Sequence, residues 1–278
     1  MKGYAKKNCF ELIFVLLQAF LYVAFLTLDL TDGCIGLSVC IKYIIIILCF
    51  CYALLVGGAY KSIFFCAANA QQSAAGQSLK NKRRDPQYAD VLFLQMGLFF
   101  TLISDLFILI LDYYFYGVLF FILVQQLYSL RLILLHYERT DKTEKILLYV
   151  KRITIQVGVA AMVYLILILA GVRLDSLLIA SVFYFVSIIF NTIAAVRLAV
   201  KDYRKRSNLL YAVGMLLFLL CDINVGLFNL SGFIKLPEEI YKVIYSYSSI
   251  LMWTFYAPSQ VLIALSVSYI CKQKEGSK

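Results

Sequence analysis

Stretches of about twenty predominantly apolar residues recur along the whole chain, and only short polar connections separate most of them. Hydrophobic residues make up 63% of the 278 positions and charged residues 15%, more apolar surface than one water-surrounded core of this size could hide. The pattern predicts an all-α, polytopic helical membrane protein with about eight transmembrane helices in a single integral membrane domain covering residues 1–278. The spans fall at roughly 10–30, 35–58, 88–111, 114–136, 153–171, 176–198, 208–230 and 243–270.

Charge is distributed unevenly over the connections. One set carries most of the 26 Lys and Arg: Met1–Asn8, the Lys61–Pro86 region, the Arg131–Arg152 loop, Arg197–Arg206 and the tail after Cys271. The other set is short and poor in cations: Leu30–Cys34, Asp112–Tyr114, Gly171–Asp175 and Ser231–Lys242. The positive-inside rule places the first set, and with it both termini, in the cytoplasm. The net charge of +10 is then loop asymmetry facing anionic membrane lipid. It does not point to nucleic acid, because no basic stripe interleaves with aromatics. Lys2, Lys6 and Lys7 precede an apolar run too long for a signal peptide and lacking an A-x-A cleavage site, so the first span is expected to be retained.

Most soluble-enzyme chemistries lack their residues here. The eight cysteines form no C-x-x-C pair and read as small buried hydrophobes. His136 is the one histidine and sits at the end of the fourth span, which leaves neither a zinc ligand set nor a histidine-activated nucleophile at depth. Phosphate loops and dinucleotide fingerprints are absent, and no metal or cofactor is expected.

Two carboxylates remain inside the apolar spans, in Ser104-Asp105 and Cys221-Asp222. A charge at mid-membrane costs about 2.5–3.5 kcal/mol on insertion scales, which makes each a functional candidate. The helical rise puts Asp105 about 10 Å below the end marked by Asp112, and Asp222 at a similar depth in a span running the same way. Lys42 enters the second span at a comparable level, and three ionisable groups at one level suggest a shared polar cavity. The same residues also admit structural readings, with Lys42 snorkelling outward and each aspartate bonded to a neighbouring helix. Gln125, Gln126 and Tyr128 lie in the fourth span; Tyr256 and Gln260 share one face of the eighth. Pro258 between them removes a backbone donor and frees the carbonyl near Thr254. Asn191 and Asn224 are further candidates for an interhelical polar network.

At these residues the chain resembles the YhhN family of integral membrane proteins, which includes the lysoplasmalogenases. The motifs run in family order: Ile41-Lys42 in the second span, Ser104-Asp105 in the third, Gly117, Phe121 and Gln125-Gln126-Leu127-Tyr128 in the fourth. Gly214, Phe218 and Cys221-Asp222 follow in the seventh span, and Tyr256, Gln260, Leu262-Ile263 and Ser266 in the eighth. Two positions depart from the pattern: Gln125 stands where the family usually has histidine, and Ser104 where it has glycine.

The resemblance implies hydrolysis of the vinyl-ether bond of a lysoplasmalogen, a lysophospholipid, to a fatty aldehyde and a glycerophospho-head group, in what would be a bacterial plasma membrane. Asp105 and Asp222 would then be the catalytic acid–base pair, one neutral and one ionised. Lys42 would hold one of them ionised, and Gln125, Tyr128, Tyr256 and Gln260 would orient water or the head group. An intramembrane aspartyl protease is a weaker match, since its Gly-x-Gly-Asp signature is missing. The alternative outside enzymology is a transporter or lipid-binding protein whose carboxylates carry protons or bind an amine. A parallel four-plus-four internal repeat fits that alternative, with aspartates on spans three and seven and Gln and Tyr on four and eight.

Overall fold

The computed structural model describes residues 2–31, 33–57, 86–137, 140–173, 175–229, 232 and 237–276. Among them are eight helices long and apolar enough to cross a membrane. In chain order they are α1 (Lys2–Leu30), α2 (Ile35–Gly57), α3 (Pro86–Asp105), α4 (Tyr114–His136), α5 (Lys142–Leu169), α6 (Ser176–Lys201), α7 (Arg206–Phe228) and α8 (Glu238–Gly276). A π-helical segment, Leu106–Ile110, continues α3 directly after Asp105. The cation-rich Lys61–Pro86 connection lies outside the described residues except for Pro86, which opens α3.

The loop expected over Arg131–Arg152 is mostly helix. Arg131 lies inside α4 and is fully buried, and Arg152 lies inside α5, which begins at Lys142. The fourth span expected at 114–136 already held Arg131, but the fifth begins eleven residues before the expected 153. The backbone instead stays helical, because Arg131 finds a buried carboxylate and the flanking apolar residues keep helical spacing. The cysteine expectation also divides. Cys49 and Cys221 are buried, whereas Cys9, Cys34, Cys40 and Cys51 lie on the outer surface, where surrounding lipid makes an outward apolar side chain costless.

Side-chain pairs fix the register of the bundle. Asp90 meets Arg131 near one end of the antiparallel α3–α4 pair, and Ser104 donates to the Gly117 carbonyl near the other. Glycines permit the closest approaches. A Cβ at Gly117 would strike the Ile108 side chain and lie 3.1 Å from the Ser104 carbonyl oxygen. One at Gly214 would lie 3.1 Å from the Ser259 oxygen, so α7 and α8 pack almost backbone to backbone. At Gly97 the place of a Cβ is taken by the Tyr128 ring. The α3–α4 turn closes at Asp112, which holds a left-handed φ of 59°, a conformation aspartate tolerates better than most residues.

Pro258 interrupts the backbone ladder of α8 as its chemistry requires, and the Tyr22 hydroxyl of α1 donates to the Thr254 carbonyl at 3.4 Å. Helix α5 is the outlier. Its buried residues are Gln156 and Ala160, and most of its large apolar side chains face outward.

Candidate active site

Asp105 ends the regular part of α3, and the widened π turn that follows offsets the helix just past it; such turns recur at functional sites. The Asp105 side chain is buried, and its Oδ2 accepts a hydrogen bond from the Tyr256 hydroxyl of α8 at 2.6 Å. Asp222 of α7 is half-buried, and its Oδ2 accepts from the Tyr184 hydroxyl of α6 at 2.7 Å. Neither carboxylate accepts another hydrogen bond among the described residues, so Oδ1 of each is uncommitted. Two phenols thus fix two carboxylates by one oxygen apiece.

The pairs converge on one aromatic cluster. The Phe121 ring of α4 lies 5.6 Å from Tyr184 and 6.4 Å from Tyr256. Phe218, one turn before Asp222, lies 5.8 Å from Phe121 and 5.5 Å from Tyr256. Across this cluster the two carboxylates lie within electrostatic reach of each other. The walls are apolar and aromatic, so a charge here is poorly screened and its hydrogen bonds are correspondingly strong.

Lys42 takes a different partner from the expected one. Its ammonium forms an ion pair with Asp29 of α1 at 2.7 Å, and Ser38 donates to the other Asp29 oxygen. The short α1–α2 turn brings Asp29 back beside the first turns of α2, giving a nearer carboxylate than Asp105 or Asp222. The ammonium also lies 5.1 Å from the Trp253 ring, which packs at 5.3 Å on Tyr256. Trp253 thus touches both the lysine and Tyr256, the residue that holds Asp105.

The remaining expected residues sit farther along the bundle. Gln125, one turn beyond Phe121, accepts hydrogen bonds from Asn191 Nδ2 through its backbone oxygen and through Oε1, at 2.7 and 2.8 Å. Tyr128 packs on Gly97 and edge-on against Tyr211. Gln260, one turn past Tyr256, donates to Ser259, and its Oε1 is buried without a partner. Of the seven residues singled out, Asp105, Asp222 and Tyr256 come together, with Lys42 against Trp253 and the other three toward the terminal side of the bundle. Asn224 bonds its own helix, to the Leu220 carbonyl.

Tyr184 is the member that sequence reasoning missed. Among 21 tyrosines only its placement opposite Asp222 distinguishes it, and no spacing within α6 carries that signal. The bonding also departs from a four-plus-four repeat: Asp105 of α3 is held from α8, but Asp222 of α7 is held from α6, not α4. No group of three metal-ligating side chains occurs among the described residues.

No curated protein and no solved structure matches the chain. The model of the YhhN family matches residues 74–267, which leaves α1, α2 and the Asp29–Lys42 pair outside and takes in both aspartates, Tyr184 and Tyr256. That match covers more than half of the sequence, and the chain belongs to the YhhN family.

Proposed function

We propose that the protein is a lysoplasmalogenase-like hydrolase that cleaves a vinyl ether by acid–base chemistry between Asp105 and Asp222. The observation that carries this reading is the pair of intramembrane carboxylates, each fixed through Oδ2 by a tyrosine hydroxyl, with both tyrosines packed on Phe121.

Vinyl-ether cleavage needs a proton donor and a water activator on either side of a flat, apolar double bond. The neutral carboxyl delivers its proton to the β-carbon of the C=C–O unit, the π pair forms the new C–H bond, and a lone pair of the ether oxygen fills the electron-deficient α-carbon to give an oxocarbenium ion. The second carboxylate takes a proton from water as the hydroxyl adds to the α-carbon. The resulting hemiacetal collapses when its C–O bond to glycerol breaks. The glycerol oxygen takes a proton from the second carboxyl, and the hemiacetal hydroxyl returns one to the first. One water is consumed, and a fatty aldehyde and a glycerol hydroxyl are formed. Aromatic walls suit this sequence, since ring faces stabilise the passing cation.

Purified protein in nanodiscs, given a 1-alkenyl lysophosphatidylethanolamine, is expected to release aldehyde. Asp105→Asn and Asp222→Asn should each abolish release while melting within a few degrees of the parent. Full activity in either variant overturns the mechanism. Proton-coupled uptake in liposomes without hydrolysis would favour transport.

A further inference from the structure

A second polar constellation lies beside the aspartates, on the side of the bundle that carries the chain termini, and nothing in the hydrolytic scheme uses it. Helix α5 docks on α4 and α6 through hydrogen bonds. Tyr149 donates to Gln126, the Arg152 Nη2 donates to Asn191 Oδ1 at 2.8 Å, and Gln156 accepts from Ser187.

Arg152 fixes the polarity of the network. A guanidinium only donates, so Asn191 Oδ1 must accept, and Asn191 Nδ2 must donate to Gln125 Oε1. Gln125 Nε2 is then left as a buried donor without an acceptor. Arg152 Nε, Gln156 Nε2 and both Nη atoms of Arg131 are likewise buried without a hydrogen-bond partner, the Arg131 guanidinium lying 4.0 Å from the centre of the Tyr211 ring. Tyr211 lies within electrostatic reach of both arginines and of Asp90, the carboxylate that neutralises Arg131. The cluster holds two guanidiniums against one carboxylate, and its unpartnered buried groups are donors apart from the Tyr211 hydroxyl, which can donate or accept. An anion with several oxygens is the complementary ligand.

Distance says which anion. Asn191, the residue that holds Arg152, is two turns along α6 from Tyr184, about 10 Å. Gln125 is one turn along α4 from Phe121, about 6 Å. In a glycerophospholipid, five bonds separate the ether oxygen from phosphorus, about 6 Å extended. A lipid whose vinyl ether lies between Asp105 and Asp222 therefore carries its phosphate as far as Gln125, and its phosphate oxygens toward Asn191 and Arg152.

We propose that Arg152, with the Gln125 and Gln156 amides and with Arg131 behind them, is the phosphate-recognition site for a single-chain phospholipid. The proposal rests on the vinyl-ether reading for the placement of the chain, but phosphate binding by the network is testable without turnover.

The probes are 1-O-hexadecyl-glycerophosphoethanolamine, whose saturated ether cannot be cleaved by this chemistry, and 1-O-hexadecylglycerol, which lacks the phosphate. Binding to the full chain in nanodiscs is followed by Trp253 fluorescence. Wild type and Asp105→Asn should bind the phospholipid about tenfold or more tightly than the glycerol ether. Arg152→Gln should lose that preference, and Arg152→Lys should regain part of it. In turnover of a 1-alkenyl lysophospholipid, Arg152→Gln should raise KM about tenfold with kcat nearly kept. Equal binding of the phospholipid by Arg152→Gln and wild type, with both folded by size exclusion and melting, overturns the proposal. So does equal affinity of wild type for the two probes. Loss of hydrolysis in wild type with the phosphate preference intact would sink the reaction and leave the binding site standing.

Discussion

The Tyr256 hydroxyl and the Asp105 carboxylate meet at 2.6 Å although 151 residues separate them, and this bond ties the last helix of the bundle to the point where α3 changes its winding. Tyr256 is also the ring that carries contact from Trp253, and through it from Lys42, to the aspartate. Removing its hydroxyl leaves the ring packing in place and isolates the hydrogen bond. Tyr256→Phe is expected to lower kcat/KM for vinyl-ether cleavage by about ten- to a hundredfold, the value of a charge-assisted bond of roughly 1.5–3 kcal/mol. An aldehyde-release assay reads this directly, and Tyr184→Phe should act alike through Asp222.

The Asp90–Arg131 pair is fully enclosed, with Arg131 0% exposed. Breaking it from either side leaves an unpaired charge in the interior. Asp90→Leu and Arg131→Met should each cost about 3–5 kcal/mol, and the double variant Asp90→Leu/Arg131→Met should recover most of that loss. Thermal unfolding of the detergent-solubilised protein, compared across the three, provides the cycle; additive losses would show that the two groups are not coupled.

Two glycines in membrane helices should respond in opposite directions. A methyl at Gly97 overlaps the Tyr128 ring, so Gly97→Ala is expected to destabilise by about 1–3 kcal/mol through overpacking. At Gly158 nothing lies within 4 Å of an added Cβ, and Gly158→Ala should be neutral or gain up to about 1 kcal/mol from helix propensity. Melting temperatures in one detergent decide both.

Lys42 and Asp29 form a partly enclosed pair next to, and not within, the proposed catalytic cluster. Lys42→Met should therefore lower stability by about 2 kcal/mol while kcat stays within about twofold of wild type. A loss of kcat comparable to that of Asp105→Asn would instead place the ammonium in the reaction.

Much of the fold was legible in the sequence because lipid imposes a length on each helix, and hydropathy reads length well. The aspartates were legible for the converse reason: a carboxylate inside such a run is an exception the membrane makes conspicuous. What each helix faces was not legible. In water an apolar stripe marks the core side, but in lipid both sides are apolar, so nothing in α6 announced that Tyr184 points at Asp222. Arg152 was misplaced by the same blindness, and Arg131 was counted with the loop although it fell inside the span expected at 114–136. Cations near the ends of apolar runs look like loop markers unless their buried partners, Asp90 and Asn191, are known. Lys42 was seen correctly as an intramembrane cation, but its partner came from Asp29, at the very edge of the first span, where a carboxylate looks like ordinary loop polarity.

The docking of α5 has a practical consequence for anyone extracting this protein from its membrane. The other seven helices interlock through rings, close approaches at glycines and a buried ion pair. Helix α5 is held largely by amides, hydroxyls and one guanidinium, and detergent head groups and co-solvents offer the same donors and acceptors. Preparations that look monodisperse and well folded by their tryptophan signal can thus carry a detached α5, since Trp253 belongs to the interlocked body. The choice between sugar-headed and zwitterionic detergents is therefore a variable of the experiment, to be scored with a reporter on α5 itself.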